Sequence, residues 1–214
     1  MDVFNALTEY GVVPVIAIEN TKDALPLADD LIAGGLPVAE ITFRTAAARE
    51  VIAEVARHRP DVLLGASTVL SREKVDEAVE TGARFGLSPG LDTDVLAYSA
   101  AKGLPFAPGI MTPSDLQAAL KAGCSMVKFF PAMSAGGPNM LNNIAAPYAH
   151  TGVGFNPTGG VNLDNLGDWL ALPQVRAVGG TWIASKANIA AGNWDAIAEN
   201  ARAAVACVRD LRNR

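Results

Sequence analysis

Five of the six lysines in this 214-residue chain lie in helical or loop patterns, where a solvated amine is ordinary. Lys128 does not: it interrupts the apolar run SMVKFFPA (125–132). Strand alternation puts Lys128 on one face with Met126 and Phe130, and Val127 and Phe129 on the other. Whichever face turns inward, the amine enters a place with a high desolvation cost. Two uses fit it. One is a structural ion pair. The other is a nucleophile that attacks a carbonyl carbon in its neutral form, which desolvation and a neighbouring cation both favour.

The segment AEITFRT (39–45) supplies companions. Glu40, Thr42 and Arg44 alternate onto one face, while Ala39, Ile41 and Phe43 occupy the other and suit packing against helices. A carboxylate beside an amine can ferry protons during carbinolamine formation and dehydration, then remove a proton from the methyl group of the imine. Arg44 offers a planar fork of donors for a substrate carboxylate. The bland alternative is a buried Glu–Arg network.

Two glycine-containing turns suit phosphate: NPTGG (156–160) and VGGTW (178–182). Gly159, Gly160, Gly179 and Gly180 would let backbone amides approach an anion. A short helix starting near Thr181 would point its positive end at it. A diglycine alone only permits a turn; two at adjacent strand ends carry more weight. Thr68 and Thr158 each follow a strand, where a hydroxyl either donates to a substrate oxygen or caps a helix. Pro89, in SPGL (88–91), falls near the same rim, and Phe130 serves either as a pocket wall or as core.

The elements that must position these residues recur along the whole chain. Short apolar runs at 12–18, 38–43, 62–66, 84–88, 104–108, 125–130, 152–157 and 176–180 alternate with helical patterns such as AAAREVIAEVAR (46–57). Several of the helices stop at glycines: Gly34-Gly35, Gly82, Gly103 and Gly123. Thr112 caps a helix with Pro113 at its first position and Asp115 near the free amides. Eight strands alternating with helices predict an α/β fold, a closed (β/α)₈ TIM barrel, with an open doubly wound sheet as the competitor. About 250 residues is typical of the barrel, so this is a compact version. We read 1–214 as one domain, with a short N-terminal helix at 2–10 covering the lower end and a last outer helix at 193–211. Active sites of such barrels gather at the carboxyl ends of the strands, where Arg44 falls and Glu40 lies slightly below.

Composition narrows the function classes. Half the residues are hydrophobic and 18% charged, in short runs, which excludes a disordered chain or a membrane span. A formal charge of −5 argues against a broad nucleic-acid surface, though one local site can still hold a small anion. His58 and His150 have no ligand-like spacing, so no multi-histidine metal site is expected; a carboxylate-rich magnesium site stays open. No basic leader precedes the apolar residues of MDVFNALTEY, and Cys124 and Cys207 read as buried thiols. Both fit a cytoplasmic protein.

With those residues in place, the sequence resembles the 2-keto-3-deoxy-6-phosphogluconate (KDPG) and 4-hydroxy-2-oxoglutarate (KHG) aldolase family. The likeness runs through VVPVIAI, AEITFRT, LLGASTVL, FGLSPGL, PFAPGI, VKFFPA, NPTGG and VGGTW, in that order, over almost the entire chain. It implies a homotrimeric class I aldolase that needs no metal or other cofactor. The implied reaction is reversible cleavage of 2-keto-3-deoxy-6-phosphogluconate to pyruvate and D-glyceraldehyde 3-phosphate in the Entner–Doudoroff route. By the family pattern Lys128 would be the Schiff-base lysine, Glu40 the general acid/base and Arg44 the carboxylate ligand. Thr68, Pro89, Phe130 and Thr158 match pocket positions; Gly159, Gly160, Gly179, Gly180 and Thr181 match phosphate-binding ones. Ser67 stands where GAGTVL is frequent and Met111 where a smaller residue often stands. Both bear on substrate range, including the 6-phosphogalactonate epimer and 4-hydroxy-2-oxoglutarate. A phosphosugar isomerase or epimerase, or a non-catalytic phosphosugar-binding barrel, would keep the phosphate turns but leave Lys128 without a use.

Overall fold

The structure, a computed structural model, describes residues 2–213. Its strands are β1 (Val12–Ile16), β2 (Val38–Thr42), β3 (Leu63–Ser67), β4 (Phe85–Leu87), β5 (Phe106–Ala107), β6 (Gly109–Ile110), β7 (Met126–Phe129), β8 (Gly154–Pro157) and β9 (Val178–Gly180). The helices between and around them are α1 (Val3–Tyr10), α2 (Ala24–Ala33), α3 (Ala48–His58), α4 (Arg72–Glu80), α5 (Thr93–Ala101), α6 (Pro113–Lys121), α7 (Gly137–Ala145), α8 (Leu166–Leu170), α9 (Lys186–Ala191) and α10 (Trp194–Arg212).

Every residue of β1 and β2 is buried, as strands covered on both faces must be. The helices that cover them are amphipathic. In α3, Ala48, Val51, Ile52 and Val55 recur at helical spacing and face inward, while Arg49, Glu50 and Arg57 face out. Burying each Val or Ile there contributes roughly 1.5–3 kcal/mol. Helix ends follow local chemistry. Thr112 and Asp115 form a reciprocal capping box at the start of α6, with Pro113 at its first position. Gly35, Gly82, Gly103 and Gly123 take the left-handed conformation just past their helices.

All strand pairs are parallel. One sheet has six strands in the order β5-β4-β3-β2-β1-β9, and the other has three in the order β6-β7-β8. The architecture is therefore an α/β fold with a curled, partly open parallel sheet flanked by helices. Nine strands replace the eight expected because the fifth run breaks at Pro108, which has no N–H to donate to a ladder. Its carbonyl still accepts from the Lys128 N–H at 2.8 Å. The LPFAP pattern therefore found β5 and missed β6. At the second seam, β8 and β9 meet through an isolated Thr158–Gly179 bridge and the Arg176 N–H to Phe155 carbonyl bond of 3.0 Å.

Register explains what fills the interior. Val15, Glu40, Gly65 and Phe85 are successive partners across β1 to β4, and Gly109, Lys128 and Asn156 across β6 to β8. A Cβ on Gly65 would collide with the Phe85 ring, so the glycine admits the ring to the interior beside Glu40. Val13, Val38 and Met126 lie two residues nearer the amino ends of their strands and are completely buried. Together with Phe85, in the register row of Glu40, they fill the interior around the lysine and the carboxylate with apolar side chains. Helix α1, capped by Asp2, lies at the same lower end.

Candidate functional site

Lys128 and Glu40 meet across this interior. Lys128 Nζ donates to Glu40 Oε1 at 2.8 Å, and the two side chains are 7% and 0% exposed. The strands β7 and β2 thus carry an ammonium–carboxylate pair out of water, with Glu40 Oε2 left without a hydrogen-bond partner. The Phe130 ring centroid lies 5.8 Å from Nζ, within reach of a cation–π contact, so Phe130 walls the amine. A buried amine, an adjacent carboxylate and a free carboxylate oxygen are the groups that addition of an amine to a carbonyl needs.

Above this pair the remaining residues gather at the carboxyl ends of the strands. Arg44 follows β2, is exposed, and has no ion-pair partner among the described residues. The alternative of a Glu40–Arg44 network is not what forms: Glu40 pairs with Lys128. Thr68 follows β3 with φ 58°, in a region that β-branched residues avoid, and is half-buried. Strain of that kind concentrates where structure serves a ligand. Pro89 lies in the turn after β4, which is held by the Ser88 hydroxyl donating to the Gly90 carbonyl at 2.6 Å. The same turn sits where a Cβ on Gly109 would fall, which ties the rim to β6. Met111, at the end of β6, is 45% exposed.

The phosphate turns divide by physical cause. Gly159 and Gly160 have φ 103° and 78°, and their N–H groups have no partner among the described residues. Gly179 and Gly180 are needed for room: a Cβ on the first would strike the Thr158 hydroxyl, and one on the second the Trp182 ring. Thr181 is exposed beside them. The helix expected to begin near Thr181 starts instead at Lys186, with Ser185 as its cap, and is six residues long. Its dipole is displaced from the turn, so any anion there relies on the backbone of the turns themselves.

Three further inward-facing groups join the site: Thr42 and Ser67, noted in the sequence for their face and for substrate range, and Asn156, not singled out there. Thr42 Oγ1, Ser67 Oγ and Asn156 Nδ2 are all buried without partners. Thr42 and Ser67 are register neighbours one step above Glu40, and Asn156 is the register neighbour of Lys128. An asparagine in the middle of an apolar strand, where that residue is depleted, was a signal available in GVGFNP. Elsewhere, among the described residues, no three His, Cys, Asp or Glu side chains converge, and no helix is long and apolar enough to cross a membrane.

Comparison with known proteins matches residues 3–200 to the KDPG and KHG aldolase family. A 2-dehydro-3-deoxy-phosphogluconate aldolase of Treponema pallidum is 44% identical over 195 residues, covering 91% of this chain and 92% of that one. One from Haemophilus influenzae is 41% identical over 207 residues, covering 97% of each. The crystal structure of a KDPG aldolase from Legionella pneumophila, with pyruvate captured as a covalent carbinolamine intermediate, superposes with a TM-score of 0.90. It is 39% identical and the match covers 94% of this chain and 97% of the other.

Proposed function

Because this chain belongs to the KDPG and KHG aldolase family, we propose that it is a Schiff-base aldolase. It reversibly cleaves 2-keto-3-deoxy-6-phosphogluconate to pyruvate and D-glyceraldehyde 3-phosphate, a reaction of the Entner–Doudoroff route. The observation that carries the reading is the buried 2.8 Å contact between Lys128 Nζ and Glu40 Oε1. Lys128 attacks the C2 carbonyl and forms an imine. The protonated imine accepts the electron pair of the C3–C4 bond as a base takes the C4 hydroxyl proton, and no metal is required because the iminium is the electron sink. Glu40 relays the protons, and protonation and hydrolysis of the enamine release pyruvate.

Arg44, exposed and unpaired, binds the substrate carboxylate, with Thr68, Pro89 and Phe130 shaping the pocket around the three-carbon unit. Thr158 faces the hydroxyl groups. Gly159 and Gly160, with Gly179, Gly180 and Thr181 opposite, receive the phosphate; the unpaired amides of the first two support that assignment. We read residues 1–214 as one domain in which β5 and β6 act as a single strand and the β8–β9 bridge closes an eight-stranded barrel. A homotrimer is the assembly that the family likeness implies for this chain.

Incubation with pyruvate and borohydride, followed by peptide mapping, tests the reading. A reduced pyruvyl adduct on Lys128 is expected; a folded protein that takes up no adduct in excess pyruvate would sink it. The family also covers KHG aldolases, whose product glyoxylate carries no phosphate. Rates that collapse when the substrate phosphate is removed favour the phosphorylated sugar acid as the main substrate.

A further inference from the structure

Asn156 sits in the middle of β8 and is 1% exposed. Its Cα is the register partner of Lys128, and partners in a parallel pair project from the same face, so the amide enters the interior beside the lysine. The Thr158 hydroxyl donates to Asn156 Oδ1 at 2.8 Å. That leaves Asn156 Nδ2 as a buried donor with no partner among the described residues. Buried amide groups are almost always paired, and one left open beside a nucleophile is matched to an acceptor that arrives with the substrate. The contact has a second effect. Thr158 spends its only proton on Asn156, so towards the substrate it presents lone pairs, and the close approach of Gly179 keeps its hydroxyl in place.

We propose that Asn156 is a catalytic residue: its Nδ2–H donates to the C2 oxygen of the bound 2-oxo acid while the carbinolamine forms and loses water, and its Oδ1 holds Thr158 as an acceptor for a substrate hydroxyl. The inference rests on the assignment of Lys128 as the imine-forming amine. One proton passes from the Lys128 ammonium to Glu40. The neutral Nζ then adds to C2, the C–N bond forms and the carbonyl π pair moves to oxygen. Glu40 returns the proton to that oxygen, takes a second proton from nitrogen, and delivers it to the hydroxyl, which leaves as water as the C=N bond forms. Both protons of the departing pair come from Nζ, and Glu40 ends as the carboxylate it began. Asn156 transfers no proton; its N–H is aimed at the oxygen on which negative charge grows, where a preorganised donor acts most strongly.

Pyruvate has no hydroxyl for Thr158 to accept from, so it isolates the role at C2. The test is rapid-quench borohydride trapping of pyruvate on Lys128 in the wild type, N156A and N156D, with folding followed by far-ultraviolet circular dichroism. N156D keeps the acceptor for Thr158 and lacks the donor. Both variants are expected to trap about 10²-fold more slowly at saturating pyruvate, the loss typical of one such donor. Half-saturation should shift by less than about threefold, because the donor acts on developing charge rather than on the ground state. A folded variant that traps at the wild-type rate overturns the role of Asn156 and leaves Lys128 standing. A loss confined to half-saturation overturns it too, in favour of simple binding. If N156A does not fold, N156D alone decides between these outcomes. A wild type that traps nothing overturns the aldolase reading itself, a result no Asn156 variant can mimic.

Discussion

Replacing Lys128 with methionine removes the cation from the buried pair and leaves the Glu40 carboxylate, 0% exposed, with neither oxygen partnered. Breaking a buried ion pair from one side destabilises by about 3–5 kcal/mol, because a charge stays desolvated with nothing opposite it. For a chain of this length the unfolding entropy near 60 °C is about 450 cal/mol/K, so Tm should fall by about 7–11 °C. Replacing both partners, as in K128M/E40L, exchanges two desolvated charges for apolar side chains of similar volume. That change is commonly neutral to favourable. The double variant should therefore regain the loss and melt at or above the wild type, while forming no imine. Scanning calorimetry on the four members of the cycle measures this. A K128M shift below about 2 °C, or a double variant no more stable than K128M, would refute the placement of the pair out of water.

Other perturbations read other parts of the site. R44M removes an exposed, unpaired guanidinium, so Tm should stay within about 1 °C while the KM for pyruvate in the synthetic direction rises about 10- to 100-fold, the range of a charge-assisted contact; steady-state kinetics decide it. Thr68 is held at φ 58°, and a glycine there relieves a steric penalty of about 1–2 kcal/mol. T68G is expected to raise Tm by a few degrees at the expense of kcat/KM, and a lower Tm would contradict the strain. Burial pushes the Cys124 thiol up to about 11 from the ordinary 9.0. The folded chain then holds a proton between those two values that the unfolded chain releases, so this group's contribution to stability falls as pH rises through the window. In a C207S background, alkylation of Cys124 by iodoacetamide at pH 8 should run far behind that of a free thiol, and equal rates would be inconsistent with the burial.

Legibility in the sequence tracked how far each residue departs from its surroundings. Lys128 and Glu40 stand out because apolar strands make a charge conspicuous; alternation against an apolar set turns Glu40 inward, while both faces of the Lys128 strand are apolar and leave its direction open. What alternation does not give is which strands lie opposite one another, so a Glu40–Arg44 network stays open beside the favoured Glu40–Lys128 pairing until the structure brings β2 and β7 together. The apolar run LPFAP ends at Pro108; that its carbonyl still serves β7 depends on a partner far away in the chain. The start of α9 lies five residues beyond the expected one because Thr181, like Ser185, is a residue type that caps helices, and local chemistry does not choose between them. Gly179 and Gly180 stand out in the sequence as glycines that let backbone amides approach an anion; the Thr158 hydroxyl and the Trp182 ring that exclude a Cβ there are tertiary facts. Asn156 was passed over because a single amide in a strand carries no charge to draw the eye.

Val13, Val38, Phe85 and Met126 fill the interior with apolar bulk, so under the aldolase reading substrate approaches Lys128 from the carboxyl ends of the strands, a corridor with one doorway. In the cleavage direction the pyruvate fragment is still bonded at the far end of that corridor when the aldehyde is cut free, and the queue has a fixed order: aldehyde phosphate out first, pyruvate second. In the reverse direction pyruvate has to load first, and an aldehyde that arrives early stands in the doorway as a plug. Traffic of this kind leaves a kinetic fingerprint, inhibition by excess aldehyde that pyruvate relieves, and it is written by four hydrophobic side chains that take no part in the chemistry.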